Sequence, residues 1–134
     1  MKILIVEDDL TCRMALQAML NPYGDVHIVT NGHEALGVLA DAMFAESPYD
    51  LICLDIMMPE LDGQEVLKFF RSAEEQKGIL LGRGTIIFMT TALKDRENVL
   101  GAFNKHCDAY LVKPIDKDDL LKNLRKFGLV PSER

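Results

Sequence analysis

Short apolar runs alternate along the chain with longer stretches of helical periodicity. The five runs cover residues 3–6, 26–29, 51–54, 86–89 and 110–112. Runs this short and this apolar are typical of parallel strands that are covered on both faces. The stretches between them repeat apolar residues three and four positions apart, as an amphipathic helix does. The pattern therefore predicts an α/β fold of three layers, in which a doubly wound, five-stranded parallel sheet is flanked by five helices.

Polar residues mark where these helices begin. Asn31 is followed three positions later by Glu34, which predicts a capping box at the start of the second helix. Asp62 stands before the third helix, and Asp95 and Asp116 are candidate N-caps of the fourth and fifth.

One stretch, residues 72–84, does not follow the alternation. It holds three glycines around the apolar residues 79–81. We expect a long end to the third helix followed by a loop, whose apolar centre folds back on the body of the protein or meets a partner.

Length and composition limit the class of protein. The chain has 134 residues, which predicts one domain, and acids outnumber bases 21 to 15. This excess argues against direct contact with nucleic acid. No apolar run is long enough to span a membrane, and Glu7 comes too early for a signal peptide. Three cysteines without a close pair indicate neither a zinc site nor a disulfide framework. We therefore expect a soluble, cytoplasmic protein with no membrane partner.

The candidate chemistry collects where strands end. The polar groups there are Glu7-Asp8-Asp9 after the first run, Asp55 after the third, Thr90-Thr91 after the fourth and Lys113-Pro114 after the fifth. The carboxyl ends of parallel strands share one edge of a sheet, and open α/β sheets bind their ligands there. We therefore expect these side chains to converge on one site.

The charges at this edge suggest a reaction. Two carboxylates ~4 Å apart repel by roughly 4 kcal/mol at an effective dielectric constant of 20, so a cation is needed. Lys113 supplies one positive charge, and Mg²⁺ suits carboxylates, water and a phosphoryl group. Asp55 could then attack phosphorus and become an aspartyl phosphate. The metal could bind one phosphoryl oxygen, Lys113 could neutralise a second, and Thr91 with a neighbouring backbone N–H could donate hydrogen bonds to a third. Each signal alone has an ordinary structural explanation, but their combination favours function.

Four stretches make the chain similar to the receiver domain of two-component response regulators. They are residues 3–9, 54–63, 89–92 and 109–114, so the resemblance spans nearly the whole chain. It implies a flavodoxin-like sheet with strand order 2-1-3-4-5. It also implies a receiver domain at residues 1–128 and a short C-terminal tail at 129–134.

The resemblance also assigns the phosphorylation and metal sites. Asp55 matches the phosphorylated residue. Glu7 and Asp8 match the acid pair that holds Mg²⁺, Asp8 being the more direct ligand. The Met57 backbone carbonyl matches a further metal ligand.

Further matches concern the phosphoryl group and the switch. Thr91 matches the switch hydroxyl, and Ala92 matches the small residue that leaves room for the phosphoryl group. Lys113 matches the invariant lysine, with a cis bond expected to Pro114. Tyr110 matches the aromatic residue that turns inward when the switch threonine moves.

The function implied is that of a signalling receiver rather than a metabolic enzyme. It would take a phosphoryl group from a sensor histidine kinase or a histidine phosphotransfer protein and change its affinity for a downstream protein target that the sequence does not identify. We expect a stand-alone receiver or one excised from a longer protein.

Two other readings compete with a receiver. A magnesium-dependent phosphatase of the haloacid dehalogenase type would need a second acid two positions after the nucleophile, where Met57 stands. A flavodoxin-like cofactor binder would need a phosphate-cradling loop rich in Ser, Thr and Gly after the first strand, where this chain has acids.

Overall fold

The computed structural model describes residues 1–80, 82–92 and 106–131. The strands are β1 (Lys2–Val6), β2 (Asp25–Val29), β3 (Leu51–Asp55), β4 (Ile86–Ala92) and β5 (Ala109–Lys113). The α-helices are α1 (Leu10–Leu20), α2 (Gly32–Phe44), α3 (Gly63–Gln76) and α4 (Lys117–Lys126), and a short 3₁₀ turn (Asn21–Tyr23) follows α1.

The five strands form one parallel sheet in the order β2-β1-β3-β4-β5. This confirms the predicted five-stranded parallel sheet and the strand order that the resemblance implied. Four of the five predicted helices lie in the described part of the chain. The predicted fourth helix, with its candidate cap Asp95, falls outside the described residues.

Alternate residues of each strand pack on opposite faces of the sheet, which explains why the runs are apolar throughout. Ile3 and Ile5 of β1 join the cluster formed with α1 and α4, whereas Leu4 and Val6 join the cluster formed with α2 and α3. Each such side chain stabilises the fold by roughly 1.5–3 kcal/mol when it leaves water. In the described part of the chain, side chains of the helices therefore pack on both faces of the sheet, and the strand ends are where a ligand is expected.

The strands extend beyond the apolar runs that predicted them. Thr90 and Thr91 were expected to follow the fourth strand, but they lie inside β4 and are buried. Asp55 and Lys113 are the last residues of β3 and β5. The prediction stopped short because the backbone ladder continues under polar side chains: Asp55 pairs with Thr90 in the parallel register.

Helix caps correct one expectation and confirm two. Asn31 does cap α2 through the backbone N–H of Glu34, at 2.8 Å. The Glu34 carboxylate, however, accepts from the Thr30 hydroxyl at 2.8 Å instead of completing a capping box. The full capping box lies at α3, between Asp62 and Glu65. Asp116 caps α4, which corresponds to the predicted fifth helix, as expected.

The described residues of this stretch, 72–80 and 82–84, form a helix end followed by a loop, as expected, and Leu81 lies outside the described residues. Helix α3 continues to Gln76, and Gly78 then turns the chain with a φ of 83° that favours glycine. Ile79 folds back toward the core and is half-buried, whereas Leu80 is 73% exposed.

Candidate functional site

The carboxyl ends of four strands bring the predicted site residues to one edge of the sheet. Glu7 and Asp8 follow β1, and Asp55 ends β3. Thr91 and Ala92 end β4, and Lys113 ends β5. The structure thus confirms that residues far apart in sequence share this edge.

Lys113 joins the two buried acids. Its Nζ lies 2.8 Å from Oε1 of Glu7 and 3.0 Å from Oδ1 of Asp55. Glu7 and Asp55 are buried, whereas Asp8 beside them is exposed to solvent. One ammonium group therefore faces two buried carboxylates in a low-dielectric setting. The third carboxylate, that of Asp8, is exposed, so solvent reaches this side of the cluster.

The charge imbalance shows in the protonation of these groups. The pKa of Asp55 is raised from 3.8 to about 8: burial is the largest cause, and the Glu7 carboxylate raises the pKa more than the Lys113 ammonium lowers it. Burial alone would lower the pKa of Lys113, but contacts with Glu7 and Asp55 outweigh burial and raise it. The cluster therefore favours a further positive charge.

The same acids fit a hard divalent cation. One oxygen each from Glu7, Asp8 and Asp55 lie within 4.8 Å of one another. Oε1 of Glu7 is buried and accepts no hydrogen bond of ordinary geometry, although Lys113 is close. An all-oxygen set that includes a buried carboxylate oxygen without a hydrogen-bond donor among the described residues suits Mg²⁺, which also keeps several water ligands.

The threonines at the end of β4 are buried beside this cluster. Thr91 is fully buried, and its Oγ1 donates to the carbonyl oxygen of Ala92 at 3.2 Å. Thr90, which pairs in register with Asp55, has a buried Oγ1 with no hydrogen-bond partner in the described structure. Among the described residues, this long hydrogen bond to the neighbouring Ala92 is therefore the one that holds the Thr91 hydroxyl.

Of the two remaining candidate residues, Tyr110 is partly buried and Met57 is mostly exposed. The Tyr110 ring is half-buried against the core cluster on the α2–α3 side, and its hydroxyl contacts Cys107. Burial raises the pKa of this tyrosine well above its ordinary value. Met57, two residues after Asp55, is 57% exposed. The Lys113–Pro114 bond is cis, as expected.

The sequence analysis missed the helix-capping role of Asp9 and the whole contribution of Arg13. Asp9 is the N-cap of α1 and accepts from the backbone N–H of Cys12 at 2.9 Å, which separates its role from that of the neighbouring acids. Arg13 donates to the carbonyl oxygens of Glu7 and Asp8 at 3.3 and 3.4 Å. An aspartate ahead of a helical stretch could have signalled the cap, but no local pattern marked the arginine.

The geometry defines a class of protein before any comparison. A doubly wound parallel sheet carries three acids and a lysine at the carboxyl edge of its strands, which is where such folds bind ligands. The sequence profile of the response regulator receiver domain matches residues 3–125. The chain therefore belongs to the response regulator receiver domain family, which comprises signalling modules of two-component systems.

Curated relatives in this family are longer than the chain. The regulatory protein VanRB of Enterococcus faecalis is 35% identical over 137 residues, which cover 98% of this chain and 56% of VanRB. The transcription factor SKN7 of Candida albicans is 35% identical over 132 residues, which cover 98% of this chain and 21% of SKN7. The chain thus spans about half or less of these relatives.

Solved structures share the fold over nearly the whole chain. One chain is in the co-crystal structure of the Saccharomyces cerevisiae histidine phosphotransfer signaling protein Ypd1 with the receiver domain of its downstream response regulator Ssk1. It is 28% identical with a TM-score of 0.78, covering 96% of this chain and 88% of that one. The Vibrio cholerae chemotaxis protein CheY4 is 29% identical with a TM-score of 0.72, covering 94% and 97%.

The length and apolar character of the helices can be compared with what a membrane-spanning helix requires. Within the part of the chain that the structure describes, no helix is long and apolar enough to cross a bilayer.

Proposed function

We propose that this receiver accepts a phosphoryl group on Asp55 in a Mg²⁺-dependent reaction. The observation that carries the proposal is the buried Asp55 carboxylate, held 3.0 Å from the ammonium of Lys113 and beside two further acids. A carboxylate with a nearby ammonium and a candidate metal site meets the main needs of phosphoryl transfer, which are positioning and charge neutralisation.

The transfer follows from the placement of these side chains. An oxygen of Asp55 attacks phosphorus while the bond from phosphorus to the imidazole nitrogen of the donor breaks. The imidazole leaves with the bonding electrons and takes up a proton. Lys113 then neutralises one phosphoryl oxygen, and the Thr91 hydroxyl with the backbone N–H of Ala92 binds another.

Glu7, Asp8, Asp55 and the backbone carbonyl of Met57 would hold the cation. When bound, Mg²⁺ supplies the positive charge that lets the phosphoryl group approach the acids. Arg13 supports the site indirectly, because it binds the backbone that carries Glu7 and Asp8.

Thr91 and Tyr110 form the proposed switch. Phosphorylation adds roughly −1.5 to −2 charges and strong acceptors at Asp55. We expect the Thr91 hydroxyl to leave its hydrogen bond to the Ala92 carbonyl for the phosphoryl group. Tyr110, already half-buried, then moves into the vacated space. Switches of this kind couple by ~1–3 kcal/mol, so the unphosphorylated form also samples the active state.

The phosphoryl donor is proposed to be a sensor histidine kinase or a histidine phosphotransfer protein. Support comes from the structural similarity to a receiver crystallised with Ypd1. Relatives include transcription regulators, so the expectation of no direct contact with nucleic acid stays a prediction. So do the cytoplasmic location and the unidentified downstream target.

We also propose the predicted domain boundaries, with a receiver domain at residues 1–128 and a tail at 129–134. The last helix ends at Lys126 and Gly128 turns the chain with a φ of 73°, which supports this boundary, although Leu129 and Val130 at the start of the tail still pack against the core.

Labelling with acetyl phosphate tests the function. We expect wild type with Mg²⁺ to gain one hydroxylamine-sensitive phosphoryl group, as measured by intact-protein mass spectrometry. Asp55→Asn and chelation of the metal should each abolish the gain. Asp9→Asn is the matched control, because asparagine still caps α1 and Asp9 lies outside the acid cluster. Equal labelling of Asp55→Asn and wild type would refute the assignment.

A further inference from the structure

An apolar pocket opens at the edge of the sheet opposite the acid site. This pocket, the α2–α3 pocket, has a volume of about 180 Å³ and is walled by Leu39, Met43, Tyr49, Phe70 and Ile79. Tyr49 lies just ahead of β3, so the pocket is at the amino-terminal edge of the strands. The proposed phosphoryl chemistry makes no use of it.

A phenyl ring of suitable size stands next to this pocket without entering it. Phe44, the last residue of α2, is 92% exposed and directly follows Met43, which lines the pocket. Neighbouring helical residues point about 100° apart, so Phe44 turns away from the pocket of its own chain. An apolar cavity of roughly 150 Å³ can hold a benzene ring. A second molecule could therefore insert its Phe44 ring here.

The charges beside the pocket favour a second copy over an unrelated partner. Glu46 and Lys77 both line the pocket, and both are exposed. Among the described residues, neither forms an ion pair, and the Lys77 ammonium donates only to the Met43 carbonyl at 2.9 Å. A surface that carries both a positive and a negative charge can bind the same surface of a second copy across a two-fold axis. Each Glu46 then meets the Lys77 of the other copy.

We propose that two copies of this chain associate through the α2–α3 pocket. The Phe44 ring of each copy fills the pocket of the other, and two Glu46–Lys77 pairs flank the rings. The contact buries the most exposed phenylalanine of the described structure. It goes beyond the proposed function and leaves Asp55, at the opposite edge, open to a phosphoryl donor.

Sedimentation equilibrium of wild type and two phenylalanine variants tests the contact. Phe44→Ala should raise the dimer dissociation constant at least about tenfold, because each dimer loses two buried rings. Phe69→Ala is the matched control, since Phe69 on α3 is also exposed, at 56%, but does not line the pocket. It should dimerise as wild type does. Circular dichroism confirms that each variant is folded.

Exchanging the charges tests the two-fold arrangement. Glu46→Lys and Lys77→Glu should each weaken self-association, because each homodimer then places two like-charged pairs at the contact. An equimolar mixture of the two variants should form heterodimers at wild-type affinity or better, because both contacts become attractive. A pairing within one chain cannot produce this rescue.

Three results would overturn the proposal. One is a wild-type protein that remains monomeric up to about 1 mM, where even a weak specific contact should register. Another is a Phe44→Ala variant that dimerises as wild type does. The third is a mixture of the two charge variants that associates no better than either variant alone.

Discussion

At the scale of single residues, the acid site is a compromise between folding and function. Asp55 and Glu7 are buried carboxylates that share one ammonium group, that of Lys113. A well-packed fold without a function would not bury two acids with one base, because an unmatched buried charge is costly. The excess negative charge is what makes the site ready for a cation and, through it, for a phosphoryl group.

This compromise should appear in the pH dependence of stability. The pKa of Asp55 is raised from 3.8 to about 8 in the fold, so between these pH values the folded state holds a proton that the unfolded state has lost. Without metal, the contribution of Asp55 to the unfolding free energy should therefore fall as pH rises from about 4 to about 8. Asp55→Asn should remove this fall and be more stable than wild type at pH 8 by about 1–3 kcal/mol.

Urea denaturation in chelator at pH 5 and pH 8 measures this effect. Asp50→Asn is a suitable control, since Asp50 is an exposed acid just ahead of the same strand. It should keep the wild-type pH dependence. An Asp55→Asn variant that loses stability with pH as steeply as wild type would contradict the argument.

At the scale of elements, one arginine holds α3 to the start of two strands. The guanidinium of Arg71 donates to the carbonyl oxygens of Thr85 at 2.8 Å and His106 at 2.7 Å. It also pairs with the carboxylates of Glu74 at 2.7 Å and Asp108 at 3.2 Å. Asp108 in turn accepts from a backbone N–H of β4. This network fixes the side of the sheet away from the acid site.

Removing the arginine should therefore loosen α3 from the sheet. We expect Arg71→Leu to lower the unfolding free energy by about 3–5 kcal/mol, because it leaves buried carboxylates and carbonyls unpaired. Lys68→Leu on the exposed surface of the same helix should change it by less than about 0.5 kcal/mol. Thermal denaturation of both variants compares them, and similar losses in the two would argue against the network.

At the scale of the whole molecule, the two edges of the sheet carry different tasks. The carboxyl edge holds the acid site, and the amino edge holds the α2–α3 pocket and the Arg71 network. A cation that binds only the folded state stabilises the entire molecule, whichever edge it occupies. Metal binding at the acid site is thus measurable as global stability.

We expect Mg²⁺ to raise the melting temperature in a saturable way. At a concentration of 100 times the dissociation constant, the gain should be about 2.7 kcal/mol. Asp8→Asn should lose most of this gain, because Asp8 is a proposed ligand, whereas Asp9→Asn should keep it. Differential scanning fluorimetry across a Mg²⁺ titration separates them. Equal gains in both variants would exclude Asp8 as a ligand.

The sequence by itself determined the element types and the chemistry at the strand ends. Short continuous apolar runs predict buried strands, and apolar residues three and four positions apart predict helices with one apolar face. Both patterns are local, so the periodicity of the sequence alone predicted the alternation of strands and helices. Parallel strands share one carboxyl edge, so the predicted convergence of Glu7, Asp55 and Lys113 also needed no coordinates. Strand ends were less certain, because Thr90 and Thr91 continue β4 with polar side chains.

Only the tertiary structure decided which groups touch. The Arg71 network joins residues up to 37 positions apart, and the α2–α3 pocket forms where two helices and two strand starts meet. No local pattern distinguishes an arginine that will be buried from one that will be solvated, or tells that Phe44 will remain exposed. Contacts between residues distant in the chain depend on the packing of whole elements, and periodicity records only which face of an element is apolar.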